Sequence, residues 1–189
     1  MITIKQEIIL LLIGAAIGFI SSIGTTIVAE LLKRQGEVKI YYKIVFSKAN
    51  NDKTWGFFRS ENEIIFEVPM WVELQNTSNG VRVIRDLNIL LFKDGKQIFQ
   101  MTQINKYDDS WYGNEGAYSF VLQPRSLKKY DLHFAIKKSE MNDNYKFDEI
   151  KLRYFDEKDK KHIFTLKKLK QCWEIGNLNR NDKWKLADN

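Results

Sequence analysis

Residues Ile8 to Ala29 form an uninterrupted run of 22 uncharged residues, IILLLIGAAIGFISSIGTTIVA, bounded by Glu7 and Glu30. As a helix rising about 1.5 Å per residue it measures about 33 Å, matching a hydrocarbon core of about 30 Å. A buried core helix is usually shorter and amphipathic. A secretory signal has an apolar region of only about 7–15 residues, although Ile27-Val28-Ala29 weakly resembles a cleavage site. The expectation is therefore an uncleaved, single-pass transmembrane helix. It contains no Asp, Glu, Lys or Arg, so it shows no intramembrane ion relay.

The flanking cations set a direction. Lys33, Arg34, Lys39 and Lys43 follow the span, against Lys5 and the amino terminus before it. The positive-inside rule then predicts an inner-membrane protein with a cytoplasmic C-terminal domain. A single cysteine, Cys172, agrees with a reducing compartment and excludes a disulfide scaffold. Within the span, Gly14, Gly18, Ser21 and Thr25 recur along one helix face, with Ala15, Ser22 and Ala29 beside them. Small residues at such spacing let helix backbones approach closely, which predicts self-association into a homo-oligomer.

From Glu37 the hydrophobic period changes to two. Val38, Ile40, Tyr42, Ile44 and Phe46 alternate with Lys39, Tyr41, Lys43, Val45 and Ser47, the mark of a half-buried strand. Ile64–Gln75 places Ile64, Phe66, Val68, Met70, Val72 and Leu74 on one face, with Pro69 predicting an edge or a bulge. Val81–Phe92 is expected to be a strand interrupted near Arg85-Asp86. Asp94-Gly95 is a hairpin signal, and Gln97–Gln103 returns from it. Ala117–Leu122, Lys129–Lys137, Glu149–Asp156 and Lys161–Lys168 complete about eight strands. The predicted fold is all-β, an immunoglobulin-like β-sandwich or small β-barrel, preceded by the one helix. Residues 1–36 are assigned to the anchor and its basic flank, 37–176 to the sandwich and 177–189 to a polar, loosely ordered tail.

Two stretches carry a resemblance. Val72–Lys96, VELQNTSNGVRVIRDLNILLFKDGK, ends a strand in Asn plus small residues and leads the next to Asp-Gly. Phe120–Phe134, FVLQPRSLKKYDLHF, places a Leu-x-Pro turn before a late strand. The chain thus resembles uncharacterised bacterial single-pass membrane proteins with an N-terminal helix, a basic flank and an immunoglobulin-like β-sandwich. The resemblance implies a fold and a topology, and transfers no catalytic residue.

Chemistry is sparse. Two His and one Cys leave no room for a His/Cys metal cluster of the usual spacing. His133 is expected on an outward face and His162 at the start of the last strand, neither with an acid or Cys at ligand spacing. Cys172 reads as a small buried hydrophobe. No phosphate loop, GxSxG, HExxH or paired-acid motif occurs. No enzyme, metal or cofactor is expected.

Candidate binding groups are aromatic and basic. The loop Asn105–Gly116 offers Tyr107, Trp111 and Tyr112, and a second loop offers Trp55, Phe57 and Arg59. Between Ile150 and Asn189 there are 11 Lys+Arg against six Asp+Glu, including Lys167 and Lys168. These fit an anionic leaflet or an anionic small molecule such as a nucleotide. Tethering this close to lipid argues against polymeric nucleic acid. The leading expectation is a membrane-anchored binding module, with the lipid bilayer, a second copy and a protein or small-molecule ligand as partners. Two alternatives are an anti-phage-type effector, whose helices cluster when a nucleotide binds, and an exported, envelope-anchored domain.

Overall fold

The structure, a computed structural model, describes residues 4–45, 55–60, 62–107, 110–113, 118–144, 146–170 and 183–188. Among the described residues one α-helix, α1 (Ile4–Arg34), precedes twelve strands: β1 (Val38–Ile44), β2 (Gly56–Ser60), β3 (Glu63–Asn76), β4 (Arg82–Lys93), β5 (Lys96–Gln100), β6 (Thr102–Tyr107), β7 (Ser110–Gly113), β8 (Phe120–Leu122), β9 (Ser126–Lys137), β10 (Glu149–Phe155), β11 (Lys161–Lys168) and β12 (Lys185–Leu186). Its segment Gln6–Lys33 is long and apolar enough to cross a membrane, and none of that apolar surface is buried by the rest of the chain. Leu11, Phe19 and Ile20 are each more than half exposed.

The strands form two antiparallel sheets. One runs β12-β1-β3-β9-β6-β7, with β2 also paired to β3; the other runs β11-β10-β4-β5, with β8 also paired to β4. Alternation explains the layering. Phe66, Val68, Met70, Val72 and Leu74 of β3 are fully buried, facing Ile84, Leu87, Ile89 and Leu91 of β4 and Ile150 and Leu152 of β10 in one core. Each such side chain contributes about 1.5–3 kcal/mol when withdrawn from water. Tyr42 crosses the core between sheets, its hydroxyl donating to the Leu166 carbonyl at 3.0 Å.

The chain changes sheets at Met101. The Asp94-Gly95 turn has φ of +49° and +76°, the left-handed pair that joins β4 to β5. Met101, its N–H on the Ile89 carbonyl at 2.9 Å, then passes the chain from β5 in one sheet to β6 in the other. The expected single return strand Gln97–Gln103 is thus two strands. The expected interruption at Arg85-Asp86 is present: Asp86 takes φ +49°, and the β4–β10 register shifts beside it.

Pro69 is not on an edge. β3 is an interior strand, paired to β9 along nearly its whole length on one side and to β1 and β2 on the other. β1 ends opposite Met70 and β2 begins opposite Glu67, so Pro69 falls in the gap between them. His133, directly opposite Pro69 on β9, turns its N–H and carbonyl to the Tyr118 hydroxyl. Pro69 and His133 are therefore a non-hydrogen-bonded pair, and the proline nitrogen points into the gap, where no ladder donor is required. Its carbonyl accepts the Trp55 indole N–H at 2.8 Å.

Of the tail expected over 177–189, residues 183–188 are described, and they include a short strand. Lys185 and Leu186 pair with Tyr42 and Tyr41, the Ala187 N–H donates to the Ile40 carbonyl at 2.8 Å, and Ala187 is buried. The backbone edge of β1 is what this short stretch pairs with.

Candidate functional site

Only Gln35, Gly36 and Glu37 separate the helix from β1. They dock onto the turn 77–80 after β3. Gly36 has φ +102°, and a Cβ there would stand 2.7 Å from backbone atoms of Thr77 and Ser78. Only glycine permits this approach. The Thr77 N–H donates to the Glu37 carbonyl at 3.0 Å, and the Glu37 N–H donates to Thr77 Oγ1 at 2.9 Å. Asn79 Nδ2 donates to the Leu32 carbonyl, an unpaired acceptor of the last helical turn, at 3.3 Å.

Asn76 organises this turn from inside. It is buried, and its Nδ2 lies 2.8 Å from the Gly80 carbonyl, 3.2 Å from that of Leu122 and 3.0 Å from that of Gln123. Its Oδ1 accepts the Ser78 N–H and hydroxyl at 2.9 and 2.7 Å. One side chain thus holds the ends of β3 and β8 together.

Beside the joint lies a cleft of about 470 Å³, within the usual range for small ligands. Its walls are Gly36 and Glu37 of the link, the start of β1 (Val38–Ile40), Arg82 and Val83, the β10–β11 hairpin (Tyr154, Asp156, Glu157, His162, Phe164) and Leu186–Asp188. Arg82 ties three parts of it together. Nη1 binds Glu157 Oε1 at 2.6 Å, Nε donates to Ser78 Oγ at 3.2 Å, and Nη2 donates to the Gly36 carbonyl at 3.5 Å.

The hairpin supplies the polar floor. His162 Nε2 is 2.9 Å from Asp156 Oδ2, and its ring stacks on Tyr154 at 4.7 Å. Burial opposes the Asp156 carboxylate, but the His162 ring and the amides of Lys158 and Lys160 together outweigh it and hold the carboxyl below its ordinary value. Burial, then the nearby Asp156 and Glu157 charges, push the Tyr154 phenol up to about 12. The cleft wall carries Glu37, Asp156, Glu157 and Asp188 against Lys39 and Arg82, an excess of carboxylates. Such a wall suits a neutral or cationic group better than a phosphate.

The residues expected to bind do not converge. Trp55 and Phe57 are core, not surface: Trp55 is closed off by its bond to Pro69 and packs near Tyr42, and Phe57 packs on Phe66 and Phe147 at ring distances of 5.0 and 6.3 Å. Arg59 is exposed but pairs opposite Ile64, at the end of β3 away from the joint. Tyr107, Trp111 and Tyr112 lie in the β6–β7 hairpin rather than in an irregular loop. Lys167 and Lys168 lie at the far end of β11, where Lys168 meets Glu149 at 3.2 Å. Gly14 and Gly18 face open space, and the Thr25 hydroxyl donates to the Ser21 carbonyl within the helix at 2.8 Å. Cys172 lies outside the described residues.

Both histidines acquire acids that spacing did not reveal, His133 lying 3.6 Å from Glu67 and His162 beside Asp156. The six-residue Asp156–His162 interval spanning a charged hairpin tip was the available signal. Among the described residues no group of three His, Cys, Asp or Glu is placed to hold a metal. A scan against protein-family models finds no match, and a search of curated proteins finds none with significant similarity.

Proposed function

We propose that this chain is a membrane-anchored binding module. The helix crosses the inner membrane once, and an immunoglobulin-like β-sandwich on the cytoplasmic side recognises a ligand or partner. The observation that carries this reading is the joint: an apolar helix exposed along its length meets, within three residues, a β domain with a cleft at that same corner. Lys33, Arg34, Lys39 and Lys43 support the cytoplasmic side. The open face at Gly14 and Gly18 supports self-association by close packing. The carboxylate excess favours a neutral or cationic ligand group over the anionic one expected from composition.

A second reading, the clustering effector, draws support from the same short joint, because a ligand beside Gly36 and Arg82 touches the groups that hold the helix. Photo-cross-linking in cells from a reactive residue at Val83, in the cleft, tests the first reading against the same probe at Asp94, at the opposite end of β4. A species captured at 83, absent at 94 and lost on Arg82→Ala supports it. Identical capture at both positions, or release of the chain from membranes by alkaline carbonate, overturns it.

A further inference from the structure

Outside the carboxylate-rich cleft, the end of the β domain that receives the helix carries exposed apolar and cationic side chains. Among the described residues beyond α1, the large apolar side chains that are exposed are Val81, Val121, Leu127 and Leu186. Three of the four lie near the anchor end, Leu127 on the outer face of one sheet and Val121 on the outer face of the other. Val81 follows Gly80, whose Cβ position is 3.3 Å from the Lys33 carbonyl. Leu127 is one step from the Asn76–Ser126 pair that ends the β3–β9 ladder, and Val121 is one step from the Arg82–Leu122 pair. Two exposed cations accompany them: Arg125, whose Nε donates to Asn79 Oδ1 at 2.8 Å, and Lys128. The acids nearest the helix end have cations of their own, Glu30 with Lys33 at 4.0 Å and Glu37 with Lys39 at 3.5 Å.

Depth follows from arithmetic. The apolar run ends at Ala29, and Leu32 lies three residues further, about 4.5 Å along the axis. The headgroup layer on each side is about 5–7 Å deep, half the difference between the whole bilayer and its hydrocarbon core. The Leu32 carbonyl is therefore at headgroup depth, the turn that hydrogen-bonds it stands within reach of that layer, and a helix tilt toward the turn lowers it further.

We propose that this end of the β domain is a lipid-docking surface, with Val81 and Leu127 seated in the headgroup layer and Arg125 and Lys128 against the phosphates of an anionic leaflet. The proposal rests on the helix spanning a membrane. The occupant is the bilayer because the turn 77–80 that precedes Val81 is tied to the last turn of the membrane helix, and the exposed charged groups flanking Leu127, Arg125 and Lys128, are cationic.

The test uses the full chain in nanodiscs, either zwitterionic or enriched in anionic lipid, on a Cys172→Ser background. A fluorophore is attached through Ile17→Cys, Val81→Cys, Leu127→Cys or Asp94→Cys, and quenched by lipids spin-labelled at the headgroup or deep in the chain. Asp94 lies beyond the twelve-residue β4, about 36 Å from the joint. The expected result is loss of most fluorescence at 81 and 127 with headgroup quencher and none at 94. That loss deepens in anionic discs and shrinks on Arg125→Glu with Lys128→Glu. Quenching of 17 by the deep label with 81 and 127 matching 94 overturns the docking surface while leaving the anchor intact. An unquenched 17 overturns both. Equal quenching in both lipids removes the phosphate contacts from the proposal.

Discussion

Gly36→Ala isolates the joint between helix and domain. Two costs add. An L-residue in the left-handed region costs about 1–2 kcal/mol, and Gly36 sits at φ +102°. The added Cβ would also stand 2.7 Å from backbone of a turn fixed by Asn76, so relief requires the two segments to separate. Separation gives up the Thr77 N–H bond to Glu37 and the Glu37 N–H bond to Thr77, each worth about 0.5–1.5 kcal/mol net. The sum is about 2–5 kcal/mol, and none of it falls on the two-sheet core. Gly95→Ala is the control: φ is +76° but nothing lies within 4 Å of its Cβ, so only the conformational cost applies. Hydrogen exchange on the full chain in detergent reads the difference. Gly36→Ala should accelerate exchange of the Thr77 and Glu37 amides by more than about tenfold, the equivalent of 1.4 kcal/mol, while strand amides of β3 and β10 stay protected. Unchanged exchange at Thr77 would refute the claim that glycine is required there.

Asn76→Ala should lower stability by about 2–4 kcal/mol in urea titration, because three carbonyls lose their shared donor inside the protein; a loss below about 1 kcal/mol would show that the strand ends hold without it. Trp55→Ala should cost about 3–5 kcal/mol by thermal unfolding, and an unchanged midpoint would return Trp55 to the surface. At high pH the raised Tyr154 pKa gives stability that is complete below the ordinary phenol value of 10.0 and lost as pH climbs through about 12; urea midpoints and phenolate absorbance should fall and rise together over that window in wild type, less so in Tyr154→Phe. At low pH the depressed Asp156 pKa contributes stability present above its ordinary value of 3.8 and lost as pH falls through the lower folded value. Asp156→Asn should flatten that acid limb, and an identical limb would count against the His162 contact.

Much of the layering was legible because period-two alternation is a local property. Phe66 to Leu74 and Leu132 to Ile136 could be assigned to an inner face from spacing alone, and the structure buries both sets. Elements defined by long-range geometry were not legible. Trp55 resembled a loop aromatic because nothing nearby in sequence reveals that Pro69, fourteen residues on, leaves a carbonyl free for it. Lys185-Leu186 has no strand pattern of its own and pairs only because β1 offers an edge. The cleft draws on four separate stretches, from Glu37 to Asp188. Asn76 could be recognised as a turn residue, but not as the donor shared by three carbonyls.

The three-residue link after Arg34 leaves no slack, and that has a mechanical meaning. With Gly36 wedged against Ser78 and Asn79 gripping the final helical turn, the azimuth of the sandwich about the helix axis is keyed, as a gear is to its shaft. Two chains that meet along Gly14 and Gly18 would therefore bring their sandwiches round to one mutual rotation, and turning one sandwich would twist the seam between the shafts.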